Sequence, residues 1–435
     1  MEDDDDLDGE DSIEYLSNPI KRYERFSFQN RRAIAKFLGK GQRFIDVYYP
    51  KWYYGHLLAW TLKNILKSPG YQTFSVHGYT QTEPMHHDVQ IDYTKFESCM
   101  IDGQIFVQHD KVPFVVTISI LLGETKLIQV EALTKNTKPV KQFLKDVEAF
   151  LTDNNFYRGK KIGLTHEISF LTIGQRNWES IALDANMKKE IQLNTIGFLK
   201  SREKWEKYGI PLKRGIILAG EPGTGKTIIC KALMSEADNI TCITTDPYFL
   251  LHEEYIKMLF SLAQDLSPTM VFIEDVDFIG QERQYFYRGT PVLIALLAEM
   301  DGIKENKAVV TIATTNDLET LDKALRERPS RFDRIFKIGR PNSQQRAEQL
   351  KYLSKSIPLS EDIFEYILQK TDGLSPAQLQ EVVYGIVISG NTSRQETTDF
   401  THNDVDSIIA LINYRKKERM GFNGYPNPIM KNKGD

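Results

Sequence analysis

The stretch Gly220-Glu221-Pro222-Gly223-Thr224-Gly225-Lys226-Thr227 matches the pattern G-x-x-x-x-G-K-[ST] in full. It follows the apolar run Gly215–Leu218, which predicts a buried strand, and precedes a helical pattern that begins at Ile228. Glycines let backbone N–H groups approach phosphate oxygens, and the next helix adds the positive end of its dipole. Lys226 supplies charge for the β and γ phosphates, and the Thr227 hydroxyl is a ligand for Mg²⁺. The stretch therefore predicts a loop that binds ATP with Mg²⁺.

Strands and helices alternate on both sides of this loop. The apolar runs Ile240–Ile243, Val271–Ile273 and Val309–Ile312 predict further buried parallel strands, and Thr290-Pro291 predicts the start of a helix. This order indicates an α/β fold with a doubly wound parallel sheet at residues 171–340. After Pro341 the pattern is all-helical, with helices expected near residues 343–355, 361–370, 376–389 and 403–418. Residues 341–419 are therefore expected to form a helical lid, and residues 420–435 a loose tail.

Two adjacent acids, Glu274 and Asp275, directly follow the strand Val271–Ile273. The carboxyl edge of a parallel sheet is where such folds bind ligands. One acid can hold Mg²⁺ through water, and the other can orient or deprotonate the attacking water. By position we expect Glu274 to serve the metal and Asp275 the water. The alternative is a strand end with solvated acids.

Two more features suit phosphoryl transfer. The strand Val309–Ile312 leads to Asn316, whose amide can polarise the lytic water. A dense arginine block, Arg326–Arg334, contains Arg328 and Arg331, and arginine stabilises charge on a transferring phosphoryl group. A solvated or ion-paired face explains the arginine block equally well on composition.

Together these residues resemble the AAA type of the AAA+ ATPase superfamily over Trp178–Arg415. The resemblance implies an α/β ATPase core, a helical lid and a self-associated, hexameric ring. It implies that Arg328 and Arg331 reach the neighbouring subunit's γ-phosphate. It also implies that Ile181 and Ala182 touch the adenine, and that Gly373–Ala377 is the lid segment near the nucleotide.

A closer similarity is to the branch of the mitochondrial Rieske-protein translocase and its soluble bacterial relatives. It is carried by Phe198-Leu199, by Trp205 and by the run Tyr208–Gly215 before the loop. Most AAA proteins have Asp and then Glu where this chain has Glu274 and then Asp275, and the branch shares this inverted order. The best apolar run, Val112–Leu122, is too short to cross a bilayer, so we expect no membrane span.

Residues 15–170 predict a separate α+β domain. Leu58, Leu62 and Ile65 recur at helical spacing, and later runs alternate apolar and polar residues with a period of two. Breaks at Asp102-Gly103, Asp110-Lys111 and Gly123-Glu124 suggest hairpins of an antiparallel sheet. We expect this domain to bind a protein client on which the ATPase acts. The acidic residues 1–14 are expected to be a disordered tail.

Composition sets the remaining limits. Of 435 residues, 26% are charged, and the net charge of −4 does not suggest a nucleic-acid partner. The three cysteines, Cys99, Cys230 and Cys242, are too few for a disulfide framework, which indicates a reducing, cytoplasmic location.

The favoured hypothesis is an ATP hydrolase that remodels or chaperones a protein client. The alternative is a nucleic-acid-dependent ATPase motor, for which Lys21–Lys40 and Arg415–Arg419 are the candidate contacts. A nucleotide-switched scaffold with little turnover is a third hypothesis. The pair Tyr248-Phe249 is a candidate for contacting a client in a ring pore, with packing against the core as the alternative. The run Tyr285-Phe286-Tyr287 is a candidate for contacting a client or a neighbouring subunit. Many ring unfoldases grip an extended chain with an aromatic-centred loop, and because this stretch has no aromatic-Gly pair, we expect no processive threading.

Overall fold

A computed structural model of the chain describes residues 30–80, 82–120, 126–165, 167–245, 248–276, 290–316, 318, 332–357, 359–393 and 400–421. The fold divides into two compact units. The first takes Met1–Arg158 together with His166–Phe170, and the second takes Gly159–Thr165 together with Leu171–Asp435. The second unit thus includes residues 159–165, which the sequence analysis placed in the N-terminal domain.

The first unit contains an antiparallel sheet and two long helices. Its strands run in the order β1-β6-β5-β4-β2, and β3 also pairs with β4. The strands are β1 (Arg43–Tyr48), β2 (Tyr71–His77), β3 (Met85–Gln90), β4 (Phe96–His109), β5 (Val112–Ser119) and β6 (Leu127–Leu133), and the helices are α1 (Gly55–Ile65) and α2 (Thr137–Asp153). The period-two pattern predicted an antiparallel sheet, and the pairing agrees with it.

The predicted hairpin turns of this unit have different outcomes. Asp110 and Lys111 have φ values of 49° and 66°, which form a two-residue turn between β4 and β5. The predicted break at Asp102-Gly103 is wrong, because β4 continues through both residues. A Cβ at Gly103 would lie 3.0 Å from the His77 carbonyl oxygen and 2.6 Å from the Met100 Sδ, so close packing, chiefly of the His77 backbone, explains this glycine. Gly123-Glu124 lies outside the described residues.

The second unit contains a parallel sheet, as the sequence predicted. Its strands run in the order β13-β9-β12-β11-β10-β7, and every pair of neighbours is parallel. They are β7 (Lys161–Leu164), β9 (Lys213–Ala219), β10 (Thr241–Thr245), β11 (Thr269–Ile273), β12 (Val309–Thr315) and β13 (Arg334–Lys337), whereas β8 (Ile168–Phe170) belongs to the first unit. The order places β12 between β9 and β11, so the carboxyl ends of these three strands are neighbours.

Helices connect these strands and follow the last of them. Those of six or more residues that are described before residue 340 are α3 (Ala185–Gln192), α4 (Arg202–Lys207), α5 (Lys226–Glu236), α6 (Glu253–Asp265) and α7 (Thr290–Gly302). Those after it are α8 (Ser343–Leu353), α9 (Glu361–Lys370), α10 (Pro376–Ser393) and α11 (His402–Gly421). The doubly wound α/β core with a helical lid is therefore confirmed as the fold class.

The lid has its own apolar core and clear helix starts. Leu350, Ile367, Leu379, Val383 and Val405 belong to one buried cluster. Local chemistry explains the starts, because each of α8, α9 and α10 is preceded by a side-chain cap. The caps are Asn342 with Gln345, Ser360, and Ser375 with Gln378. Within the described part of the chain, no helix combines the length and apolar character needed to cross a membrane.

Candidate functional site

The phosphate-loop motif lies between the end of β9 and the start of α5. Gly223 and Gly225 have φ values of 80° and 104°, a backbone region that side chains rarely adopt. A Cβ at Gly220 would lie 2.1 Å from the Ile338 carbonyl oxygen, so only glycine fits there. The Thr224 hydroxyl donates to the Glu221 carbonyl at 2.8 Å, which closes the loop on itself. These contacts fix the loop that the sequence predicted.

Lys226 begins α5 and is only 6% exposed. Its Nζ donates to the Gly220 and Glu221 carbonyls at 2.7 and 3.2 Å. It also donates to the Asn316 Oδ1 at 2.9 Å. The Asn316 Oδ1 thus accepts from the Lys226 ammonium, and its Nδ2 donates to the Asp275 carboxylate, which can only accept. These two partners define the orientation of the Asn316 amide. The lysine therefore connects the loop to the end of β12.

The two adjacent acids have different partners. The Thr227 hydroxyl donates to the Glu274 Oε2 at 2.8 Å. Asp275 takes a left-handed backbone conformation with φ of 50°, and its N–H donates to the Thr314 Oγ1 at 2.9 Å. The Asn316 Nδ2 donates to the Asp275 Oδ1 at 2.9 Å. A positive φ is uncommon outside glycine. Here it is stabilised by one hydrogen bond from the backbone N–H of Asp275 and one to its carboxylate.

Strand order explains why these groups meet. β12 lies between β9 and β11, so Asn316 at its end is next to both the phosphate loop and Asp275. Thr314 is part of the same arrangement, although the sequence analysis gave it no role. The signal was present in the Thr-Thr-Asn strand end, but its use requires knowing that β12 neighbours β11.

The arrangement fits a nucleoside triphosphate with a divalent metal. A hydroxyl and a carboxylate, Thr227 and Glu274, lie within 2.8 Å of each other, and oxygen ligands are those that Mg²⁺ prefers. The nearly buried Lys226 ammonium offers positive charge beside a loop of glycines. This donor set is what a charged phosphate chain and its metal require.

The other predicted contacts fall at different places. The Ala377 N–H donates to the Gly223 carbonyl at 3.2 Å, so the start of α10 touches the phosphate loop. Ile181 belongs to the apolar cluster around the sheet, Ile228 packs against that cluster from a partly buried position, and Ala182 is 7% exposed. Arg328, Arg331 and the run Tyr285-Phe286-Tyr287 lie outside the described residues.

The cysteines take no part in this chemistry. Cys230 lies fully buried in α5, and burial raises the pKa of its thiol far above neutrality. Burial raises the pKa of Cys242 to about 12 and that of Cys99 to about 11. All three are buried free thiols, and their raised pKa values make them poor nucleophiles at neutral pH.

A phosphate loop on a parallel sheet, with acids and an amide at the neighbouring strand ends, defines a P-loop nucleoside triphosphatase. Residues 216–340 match the ATPase family associated with various cellular activities (AAA). The chain therefore carries an AAA ATPase domain, an ATP hydrolase that uses ATP with Mg²⁺.

Curated relatives share this part of the chain. The "ATP-dependent zinc metalloprotease FtsH" of Mycoplasmopsis pulmonis is 35% identical over 219 residues, which is 48% of this chain and 30% of that protein. The "ATP-dependent zinc metalloprotease FtsH 1" of Alkaliphilus metalliredigens is 33% identical over 244 residues, 53% of this chain and 41% of that protein. The similarity therefore spans less than half the length of each relative.

Replacing Lys226 tests the nucleotide site. Lys226→Ala removes a charged contact to the phosphates, and we expect ATP affinity to fall roughly a hundredfold. Titration with a fluorescent ATP analogue measures the loss. Lys231→Ala, an exposed lysine on the same helix α5, is the matched control and should bind as the wild type does. Unchanged affinity in Lys226→Ala would show that ATP binds elsewhere.

Proposed function

We propose that this chain couples ATP hydrolysis to the remodelling or chaperoning of a protein client. It would act as a ring of identical subunits, most simply a hexamer, in the cytoplasm. Three buried, free cysteines support the reducing location. Among AAA proteins we place it nearest the branch of the mitochondrial Rieske-protein translocase and its soluble bacterial relatives, because Glu274 and Asp275 share that branch's order.

The observation that carries the ATP-hydrolysis part of this proposal is that the two adjacent acids have different hydrogen-bond partners. Glu274 is bonded to the phosphate-loop Thr227, whereas Asp275 is bonded to Asn316. We assign Glu274 and Thr227 to the metal and Asp275 to the attacking water. When bound, Mg²⁺ supplies a Lewis acid that neutralises phosphate charge. Asp275 would accept the water's proton, and Asn316 would orient that water.

The remaining contacts complete the proposed site. The backbone of Gly220–Gly225 would bind the phosphates, with Thr227-Ile228 at the helix start. Ile181, Ala182 and Ala377 would contact the adenine. Arg328 and Arg331 would act on the ATP of the neighbouring subunit, where an arginine stabilises the charge that develops during transfer.

The N-terminal unit is the proposed client-binding domain. Ile45, Phe74 and Phe96 are 55%, 51% and 57% exposed, so these apolar side chains are accessible to a client. The unit also brings no constellation of three or more metal-binding side chains within its described residues.

Proteolysis is not part of the proposal. The curated relatives are named zinc metalloproteases, and H-E-x-x-H is the zinc motif of many such enzymes. The 435 residues contain no H-E-x-x-H sequence. The function proposed for this chain therefore stops at ATP-driven remodelling.

Phosphate release measured with and without single-stranded DNA tests the choice of function. The proposal expects steady turnover that single-stranded DNA does not change. Stimulation that declines steeply as salt rises would favour the nucleic-acid motor. Absence of turnover with tight ATP binding would favour a nucleotide-switched scaffold.

The way in which the client moves can be tested separately. Phe249 is 7% exposed and stacks on Tyr255 with ring centroids 4.0 Å apart, whereas Tyr248 is 66% exposed. Of this pair, Tyr248 alone is exposed enough to contact an extended chain. We therefore expect no processive threading of an unfolded chain. The measurement is ATP-dependent loss of fluorescence from a stably folded reporter fused to a client.

The expected result is retained fluorescence. Tyr285→Ala should impair client handling while leaving ATP hydrolysis intact, because this residue belongs to the second aromatic run. Fast, complete unfolding of the reporter that disappears in Tyr248→Ala would contradict the prediction.

A further inference from the structure

Arg340 occupies the junction between the ATPase core and the lid. It lies between the end of β13 and the start of α8, directly before Pro341. Its side chain contacts both sides of the junction. The sequence alone does not single it out, because a single arginine before a proline matches no motif.

On the core side, Arg340 pairs with Glu221 of the phosphate loop. The Arg340 Nε and Nη2 donate to the Glu221 Oε2 at 3.0 and 2.6 Å. Glu221 is integral to the loop, because its carbonyl accepts from Thr224 and Lys226. Its carboxylate therefore belongs to the loop where the phosphates are proposed to bind.

On the lid side, Arg340 holds the turn between α9 and α10. The third guanidinium nitrogen, Nη1, donates to the Gly373 carbonyl. Gly373 has a φ of 70°, which suits glycine at this turn. One guanidinium thus bridges a loop carboxylate and a lid carbonyl, which its fork geometry allows and a lysine cannot reproduce.

Neighbouring contacts show that this turn is a defined structure. Arg346, 5% exposed, donates to the Pro341 carbonyl at 3.2 Å and pairs with Asp372 at 2.8 Å. A second arginine therefore anchors the turn to the segment between β13 and α8. Ala377, shortly after the turn, contacts the phosphate loop through its N–H.

The negative charge of Glu221 explains why its contact with Arg340 matters for ATP binding. A carboxylate near the phosphates of ATP repels them unless its charge is offset. Exposed ion pairs add little to stability, and Arg340 and Glu221 are 38% and 62% exposed. The pair is therefore better explained by its effect on ligand charge and lid position than by fold stability.

We propose that Arg340 is a positioning residue that offsets the Glu221 charge and ties the lid turn to the phosphate loop. Its charge favours ATP binding by offsetting Glu221, and its hydrogen bond to the Gly373 carbonyl keeps the Asp372–Ala377 turn ordered. The inference rests on the proposed assignment of ATP to this loop.

The sign of the coupling between Arg340 and Glu221 tests the charge effect. Arg340→Met leaves Glu221 unpaired, and we expect the Kd for ATP to rise about fivefold at low salt and less at high salt. Glu221→Gln removes the repelling charge. The double variant is expected to bind ATP within about twofold of Glu221→Gln alone, which is a rescue of the Arg340→Met loss.

Hydrogen exchange at residues 372–377 tests the link to the lid. Arg340→Met should speed exchange there, and Arg340→Lys should do so while keeping ATP affinity near wild type, because charge remains and the fork is lost. Lys355→Met is the matched control, since the Lys355–Glu179 pair at 3.1 Å also joins lid to core. It should change neither the Kd nor exchange at this turn.

Additive losses in the double variant, or an Arg340→Met protein with unchanged Kd and unchanged exchange, would overturn the inference. Failure of the proposed nucleotide site can be distinguished from failure of the Arg340 bridge. If Lys226→Ala kept full ATP affinity, the loop would not be the nucleotide site, and the bridge could not act on ATP. If Lys226→Ala lost affinity and no coupling appeared, the bridge alone would be wrong.

Discussion

Arg328→Ala or Arg331→Ala protein is expected to bind ATP normally and to hydrolyse it about 10³–10⁵ times more slowly. An arginine placed against the transferring phosphoryl group stabilises charge that exists fully only in the transition state. Removing it therefore affects turnover and spares the ground-state complex. Single-turnover phosphate release and ATP titration, measured on the same protein, separate the two quantities.

Mixing variants tests whether these arginines act on a neighbouring subunit. Lys226→Ala subunits keep both arginines but are expected not to bind ATP, and Arg328→Ala subunits have the opposite defect. A mixed ring would join an intact loop to an intact arginine, so some activity should return although each protein alone is inactive. No recovery in mixtures shown to contain both proteins in one ring would contradict a shared site.

Asp275→Asn is expected to retain ATP binding and to lose about 10²–10⁴ in hydrolysis rate. The amide keeps the size of the carboxylate but cannot accept the water's proton. Glu274→Gln should behave differently, because its carboxylate is bonded to Thr227 and is assigned to the metal. It should raise the Mg²⁺ concentration needed for tight ATP binding.

Asp238→Asn is the control for this pair, since Asp238 is an exposed acid in the loop before β10. It should leave binding and turnover unchanged. If Glu274→Gln bound ATP without turnover and Asp275→Asn lost Mg²⁺-dependent binding, the two roles would be exchanged.

Much of the second unit was predictable because its signals are local. The strand before the loop, the acids after Ile273 and the lid helices each follow from apolar periodicity or a cap within a few residues. The AAA fold, the use of ATP with Mg²⁺ and the hydrolase activity are confirmed. The roles of individual side chains stay predictions.

The features that sequence missed depend on distant parts of the chain. The contact of Thr314 with Asp275 requires β12 to neighbour β11, and the bridge of Arg340 joins residues 119 positions apart along the chain. Gly103 was interpreted as a turn because glycine favours turns, whereas the close approach of the His77 carbonyl accounts for it. Pairing and close packing of this kind leave no periodic signal in the sequence.

The central claim is that ATP hydrolysis at this site drives the release or reshaping of a protein client. The most direct test is an affinity capture with Asp275→Asn protein in ATP, compared with the same protein in ADP and with Lys226→Ala. The claim predicts that ATP-loaded Asp275→Asn retains specific client proteins that are absent from both comparisons, because the cycle stops before release. Recovery of the same proteins in all three samples, or of none in any, would contradict it.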